Sequence, residues 1–160
     1  MPPIIRSISE ADNISIARLI RTVMPEFGAG GAGFAIQDPE VDDMHKAYDT
    51  LYSAYFVCEE DGKIIGAGGV APLAGAAEEI CELKKMYFLR EGRGRGLGLK
   101  LLSKCLITAK EMGYGKCYIE TFNTMMDAIK LYEKNGFHKI DGPLGNTGHF
   151  ACDIFYLKEL

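Results

Sequence analysis

No stretch of this 160-residue chain comes near the ~20 consecutive apolar residues that a membrane-crossing helix needs, so no membrane partner is expected. The opening residues, MPPIIRSISEAD, carry neither an apolar core nor a small-residue cleavage pattern, so no secretory leader is expected either. Net positive charge is also missing. The formal charge is −4 at pH 7, which argues against nucleic acid as the main partner, because phosphate backbones require a basic face. Cysteine occurs five times (Cys58, Cys81, Cys105, Cys117, Cys152) but never in a CxxC pair, and the count is odd. That pattern argues against a disulfide framework or a zinc site and suggests reduced, mostly buried thiols in a cytoplasmic protein. No cysteine has a neighbourhood that would activate it as a nucleophile. Repeats, low-complexity tracts and linkers are absent, which leaves one domain over residues 1–160 as the expectation.

What is present suits a packed core: 48% hydrophobic and 25% charged residues. Pro3–Ser7 reads as a short strand. Ser9-Glu10-Ala11-Asp12 is a capping-box signal, and Ile16, Leu19, Ile20 and Val23 follow it on one helical stripe that Pro25 ends. Phe27–Phe34 is a glycine-rich loop, and Asp38-Pro39-Glu40 opens another helix with Asp38 as its cap. Tyr55–Glu60 and Lys63–Val70 form a hairpin across Asp61-Gly62, and Ile80–Leu89 is a third long strand. Leu97, Leu101, Cys105, Ala109 and Met112 mark the next helix face, and Lys116–Phe122 is a strand. Thr124–Asp127 reads as a second capping box, ahead of a stripe of Met125, Ala128, Ile129 and Tyr132 closed by Asn135-Gly136. Phe137–Ile140 and His149–Leu157 read as the last two strands. The order β α α β β β α β α β β gives an α/β (α+β) chain with a mixed sheet.

The densest signal is REGRGRGLGLK, residues 90–100, where a strand breaks into glycines and enters a helix. A helix start exposes N–H groups that have no intrahelical partner, and the helix dipole adds partial positive charge there. Phosphate suits such a site, glycine lets its oxygens approach the backbone, and Arg90, Arg93, Arg95 and Lys100 add charge around the rim. Two phosphate motifs are absent. GxGxxG would need glycine at Leu97 or Leu99, and GxxxxGK[ST] fails at the same positions. What stands there is Arg93-Gly94-Arg95-Gly96-Leu97-Gly98, an instance of [Q/R]xxGx[G/A].

With that motif the chain resembles the GNAT superfamily of N-acetyltransferases. Glu82–Leu89 is similar to the family's strand before its pyrophosphate cradle, and Ala128 to Phe137 is similar to its A-x-x-L-Y-x-x-x-G-F signature. The element order agrees over nearly the whole chain; Gly92, where the family often has a bulky residue, and Arg90, where it often has proline, depart from the pattern. The resemblance implies a GNAT-like, mostly antiparallel sheet with helices on both faces and splayed fourth and fifth strands. It implies acetyl-CoA as acyl donor, with no metal, and Arg93, Gly94, Arg95, Gly96, Leu97, Gly98 and Leu99 as its diphosphate cradle. Met86, Tyr87 and Phe88 take the place of the strand that offers a freed N–H to the thioester carbonyl, and Asn123 that of a polar residue on the pantetheine arm. The acceptor is expected to be a primary amine of a small molecule or peptide, and the resemblance allows a homodimer.

Acetyl transfer to an amine needs a base, an oxyanion donor and a route for the leaving thiolate. Tyr132, on the inward helix stripe at the signature position, is the candidate acid. Glu82 is the candidate base because it shares strand parity with Lys84 and Met86. Glu120 and His149 are its rivals, as is a water molecule. Phe27–Phe34, Asp38–Asp43 and Gly142–His149 are expected around the acceptor. A non-catalytic acyl-CoA-binding sensor is the competing reading, since a binder would keep the same cradle.

Overall fold

The long apolar strands in the middle of the chain form the centre of one seven-stranded sheet. The computed structural model describes residues 1–160. Its strands are β1 (Ile4–Ser7), β2 (Ala54–Glu60), β3 (Lys63–Pro72), β4 (Ile80–Phe88), β5 (Lys116–Thr121), β6 (His138–Ile140) and β7 (Ile154–Glu159), in the spatial order β1-β2-β3-β4-β5-β7-β6. Only the β4–β5 pair is parallel; every other neighbour is antiparallel. The helices are α1 (Asn13–Glu26), the single turn α2 (Met44–Ala47), α3 (Leu97–Glu111) and α4 (Met126–Lys134).

Alternation along β2 sorts the core into two layers, because successive strand side chains point to opposite faces. Tyr55 and Val57 pack with Ile16, Leu19, Ile20 and Val23 of α1. Phe56 packs on the other face with Leu101, Leu102 and Cys105 of α3 and with Tyr132 of α4. Helices therefore cover both faces, as the resemblance implied. At Asp61-Gly62 both residues have positive φ, 49° and 77°, which is what a two-residue turn matched to strand twist requires.

Several local expectations change. The Ser9–Asp12 capping box forms, with the Ser9 N–H donating to Asp12 at 2.7 Å, but it caps a 3₁₀ turn that leads into α1. Helix α1 runs through Pro25 to Glu26. Pro39–Asp42 is a 3₁₀ turn, and the Asp38 side chain does not cap it. That carboxylate is engaged instead by Lys85 at 2.7 Å and His149 at 2.9 Å. The Thr124 box does not form: Thr124 Oγ1 donates to the Phe27 carbonyl at 2.6 Å, and α4 starts at Met126. The last strand begins only at Ile154. Gly148 has φ +78°, and Cys152 N–H donates back to the His149 carbonyl, so residues 149–153 turn rather than extend.

The feature that positions the site is a fork. Strands β4 and β5 pair only at Ile80–Lys116, Cys81–Cys117 and Glu82–Tyr118. Beyond that point β5 stays with β7 as far as Thr121, while β4 stays with β3 as far as Phe88. The bend comes from a β-bulge. The β3–β4 register passes from Gly69–Lys84 to Ala67–Tyr87, so Lys85 and Met86 face the single Gly68, and Lys85 has φ +49°. A bulge kinks its strand and raises local twist. A Cβ on Gly68 would lie 2.8 Å from Met86 Cγ, so only glycine admits the bulge at that distance. The buried Tyr55 hydroxyl donates to the Lys85 carbonyl at 2.7 Å and ties the bulge to β2.

Tyr55→Phe leaves that buried carbonyl without its donor. The expected loss is ~1–2 kcal/mol of stability with the slope of the unfolding curve unchanged, read by urea titration.

Candidate active site

Strand β4 ends at Phe88, a short turn covers Arg90–Gly92, and α3 begins at Leu97. Between them Gly94 and Gly96 adopt φ of +70° and +75°, the left-handed region open to glycine at no steric penalty. The result is a run of bare amides. The N–H groups of Gly94, Arg95, Gly96, Leu97, Gly98 and Leu99 meet no protein acceptor; the first α3 hydrogen bond is Lys100 N–H to the Gly96 carbonyl. Six adjacent donors at a helix start form a ready anion site. Ideal Cβ atoms on Gly94 and Gly96 would meet nothing within 4 Å, so the space beside those amides is open.

The cradle arginines divide their roles. Arg93 Nε donates to the Phe88 carbonyl at 2.9 Å, its Nη1 to Glu26 at 3.1 Å, and its guanidinium lies over the Phe27 ring. Its Nη2 is buried with no partner, a charged donor left free beside the cradle. Arg90 also reaches Glu26, at 3.4 Å. Arg95 turns away into a two-pronged pair with Glu60 at 2.6 and 3.0 Å. The Leu97 side chain is buried against Cys58 and Ile65 and anchors the helix start, whereas that of Leu99 is exposed. For these two residues the main chain, not the side chain, faces the anion site.

From the cradle a groove of about 380 Å³ runs between Met86–Phe88 and the Ala128 and Leu131 side of α4. It meets a second cavity inside the fork at Met86, Tyr87 and Met125, which line both. Asn123 is exposed in the turn before α4 and lines neither; Phe122 and Met125 from that turn line the fork instead. On the β5 side of the fork, the β4 backbone beyond Glu82 has no ladder partner.

Inside the fork the structure brings together all three residues named as base candidates. One oxygen of Glu82, one of Glu120 and one ring nitrogen of His149 lie within 4.8 Å of one another. Glu82 is only 5% exposed and accepts no hydrogen bond from a protein group. Burial, reinforced by the Glu120 charge and partly offset by Lys84, His149 and Lys85, pushes its carboxyl up to about 7. Glu120 is held by Tyr118 OH at 2.8 Å and Thr147 Oγ1 at 2.5 Å. Tyr132 lines the same cavity, and burial raises its phenol well above the ordinary value, so it stays protonated. Cys152 lines the cavity too, but burial, with Glu120 and Glu82 nearby, pushes its thiol up to about 12, which keeps it a neutral thiol.

Sequence reasoning missed Lys85 and Tyr118, and reached Asp38 and Thr147 only as parts of the segments expected around the acceptor. The Lys85 side chain is 1% exposed, and its Nζ binds Asp38 at 2.7 Å and Glu40 at 3.4 Å. Strict alternation places Lys85 on the face opposite Lys84; the bulge brings both into the fork. The Asp38 carboxylate had a sequence signal, but one that reads equally as a helix cap.

In sequence and in fold the chain is similar to proteins already known. Residues 17–137 match the acetyltransferase (GNAT) family. The chain is 44% identical over 159 residues, 99% of its own length and 95% of the relative's, to the uncharacterised N-acetyltransferase YjgM of Escherichia coli. Its fold is similar to a GNAT-family acetyltransferase of Staphylococcus aureus Mu50, with a TM-score of 0.88, 22% identity and 99% of both chains covered. It is also similar to the PaiA N-acetyltransferase of Thermoplasma acidophilum, solved in complex with coenzyme A, with a TM-score of 0.76, 19% identity and 100% of both chains covered.

The cradle yields a paired test. Asparagine tolerates the left-handed backbone at position 96 better than most residues, so Gly96→Asn and Gly96→Asp differ mainly in charge. Calorimetric titration with acetyl-CoA is expected to give at least a tenfold larger Kd for Gly96→Asp than for Gly96→Asn; equal affinities would remove the anion site from positions 94–99.

Proposed function

The chain belongs to the GNAT family and is an acyltransferase, and we propose that it moves the acetyl group of acetyl-CoA directly to a primary amine of a small molecule or peptide. The observation that carries this reading is one continuous path: six bare amides at one end, a groove along the fork, and an unpartnered buried carboxylate at the other end. The diphosphate rests on the amides of Gly94–Leu99 with Arg93 beside it. The pantetheine arm follows the groove past Ala128 and Leu131, and the thioester lies in the fork at Met86 and Tyr87.

The chemistry then divides among the residues. A bound ammonium gives one proton to Glu82 and becomes nucleophilic. Its nitrogen attacks the thioester carbon, and charge on the oxygen is met by backbone N–H groups of the Met86–Phe88 segment. The carbon–sulfur bond breaks, and the nitrogen's second proton ends on the departing sulfur through solvent, while the proton taken by Glu82 is released to water. Tyr132 donates a hydrogen bond to the departing sulfur. A thiol ordinarily ionises near ~8.5, below the buried phenol, so this contact stabilises the thiolate without depending on full proton transfer. The balance is ammonium plus acetyl-CoA giving amide, CoA thiol and one proton released. The neutral thiol of Cys152 supports direct transfer over an acyl-cysteine intermediate.

The test is release of free CoA thiol over a panel of amines, with the acetylated product identified by mass. Tight acetyl-CoA binding with no turnover on any amine would favour the non-catalytic sensor instead.

A base must be unprotonated, and the Glu82 carboxyl sits above its ordinary range. kcat/KM is therefore expected to rise with pH through about 7 and level off above it. The groups facing Glu82 are Lys84 and Lys85 from β4, Glu120 from β5 and His149 from the turn before β7. Glu82→Gln should lose that limb and most of the turnover. It should also gain stability above pH 7, because a raised carboxyl weakens the native state as pH climbs through its ionisation; thermal melts at pH 6 and 8 read this.

Tyr132→Phe should lower kcat more than it raises the Kd for acetyl-CoA. Steady-state kinetics beside calorimetry measure both, and unchanged kcat removes the hydroxyl from the mechanism.

A further inference from the structure

The acceptor end of the fork has a shape in hydrogen-bonding terms. An ammonium group offers three N–H donors and no acceptor. Glu82, Glu120 and His149 converge on one point with three acceptor atoms, all within 4.8 Å of one another. The His149 tautomer is fixed from behind. Its Nε2 lies 2.9 Å from both Asp38 oxygens, and a carboxylate can only accept, so the hydrogen sits on Nε2. An ammonium bound here disfavours a second positive charge beside it, and in the neutral ring Nδ1, 3.8 Å from Glu120 Oε2, offers a lone pair. Glu120 is oriented by Tyr118 and Thr147, which leave lone pairs free on each oxygen. Glu82, only 5% exposed, still lacks any donor. A primary ammonium supplies what all three acceptors are missing.

The cations of the fork tell the other half. Lys85 is committed to Asp38 and Glu40. Lys84 reaches Glu40 at 3.4 Å and lies over the Tyr48 ring. No arginine lines the cavity, and the rest of its wall includes Met24, Ala35 and Phe122. Nothing there is free to receive a carboxylate from the acceptor, and one placed beside the amine would face Glu82 and Glu120 at close range. Like charges brought together in a desolvated site oppose binding.

Resting on the amine-acetyltransferase reading above, we infer that the fork selects a primary alkylammonium whose nitrogen-bearing carbon carries no carboxylate. Glu82, Glu120 and His149 act as a three-point acceptor for its N–H groups. An α-amino acid is rejected by charge, and a secondary amine by the loss of a donor.

Matched pairs test this: n-pentylamine against norleucine and phenethylamine against phenylalanine, with N-methylpentylamine as the secondary amine. At saturating acetyl-CoA, kcat/KM for each amine is expected to exceed that for its amino acid at least tenfold, and pentylamine to exceed N-methylpentylamine by a similar factor. Glu120→Gln that keeps its acetyl-CoA affinity should narrow the amine-to-amino-acid ratio at least threefold. Binding to the CoA-loaded protein, read by saturation-transfer NMR, should follow the same order without turnover. Norleucine acetylated as fast as pentylamine leaves the acetyltransferase reading standing and overturns the selectivity. Pentylamine held in preference to norleucine, but never acetylated, supports the selectivity and sinks the catalytic reading. Equal binding of both, or a ratio that Glu120→Gln leaves unchanged, also overturns the inference.

Discussion

Everything functional in this molecule depends on a parallel strand pair that gives up after three residue pairs. Two strands that stayed hydrogen-bonded to their ends would leave no room for a ligand inside the sheet. Here the closed end of the fork is held by Cys81 beside Cys117 in a fully buried layer, and the open end is bent away by a bulge that Tyr55 and Gly68 permit. The sheet stays intact because each arm keeps its antiparallel partner on the outer side. Ligand space is thus created without breaking the core, since Tyr55, Phe56 and Val57 continue to pack both helical layers.

The same bend sets the electrostatics. Turning β4 outward carries Lys85 into the fork, where it must be neutralised, and Asp38 and Glu40 arrive from the turn after the glycine-rich loop to do so. Asp38 then also grips His149. One carboxylate therefore links the bulge, the segment after α1 and the turn before β7, three parts of the chain that share no strand pairing. With Lys84, Lys85 and His149 already spoken for by that network, Glu82 is left as a buried charge without a hydrogen-bonded partner, and its chemistry follows from that position.

The sequence was most legible where the information is local. The Arg93–Gly98 spacing announced bare amides at a helix start, and they are bare in the structure. The α1 and α3 stripes identified the core faces of those helices, because periodicity reports burial directly. Glu82, Glu120 and His149 were each visible as candidates, but their convergence was not, since it depends on a parallel register and a loop conformation. Parity along β4 pointed to Glu82, but the bulge resets alternation and leaves no mark in residue types: Met86 packs in the layer of Cys81 and Leu83 rather than on the Glu82 face, and Lys85 enters the fork. Asp38 and Thr124 misled for another reason: a side chain suited to capping a helix is equally suited to a tertiary hydrogen bond, and the longer-range partner won at both positions.

Glu26 sits at the end of α1 with its carboxylate on both Arg90 and Arg93. An arriving diphosphate therefore meets arginines that already hold an anion. On the function proposed above, a coenzyme diphosphate would compete with Glu26 for these two arginines, and added salt would weaken both pairings, so the ionic-strength dependence of its affinity would be shallower than a count of basic residues around the loop suggests.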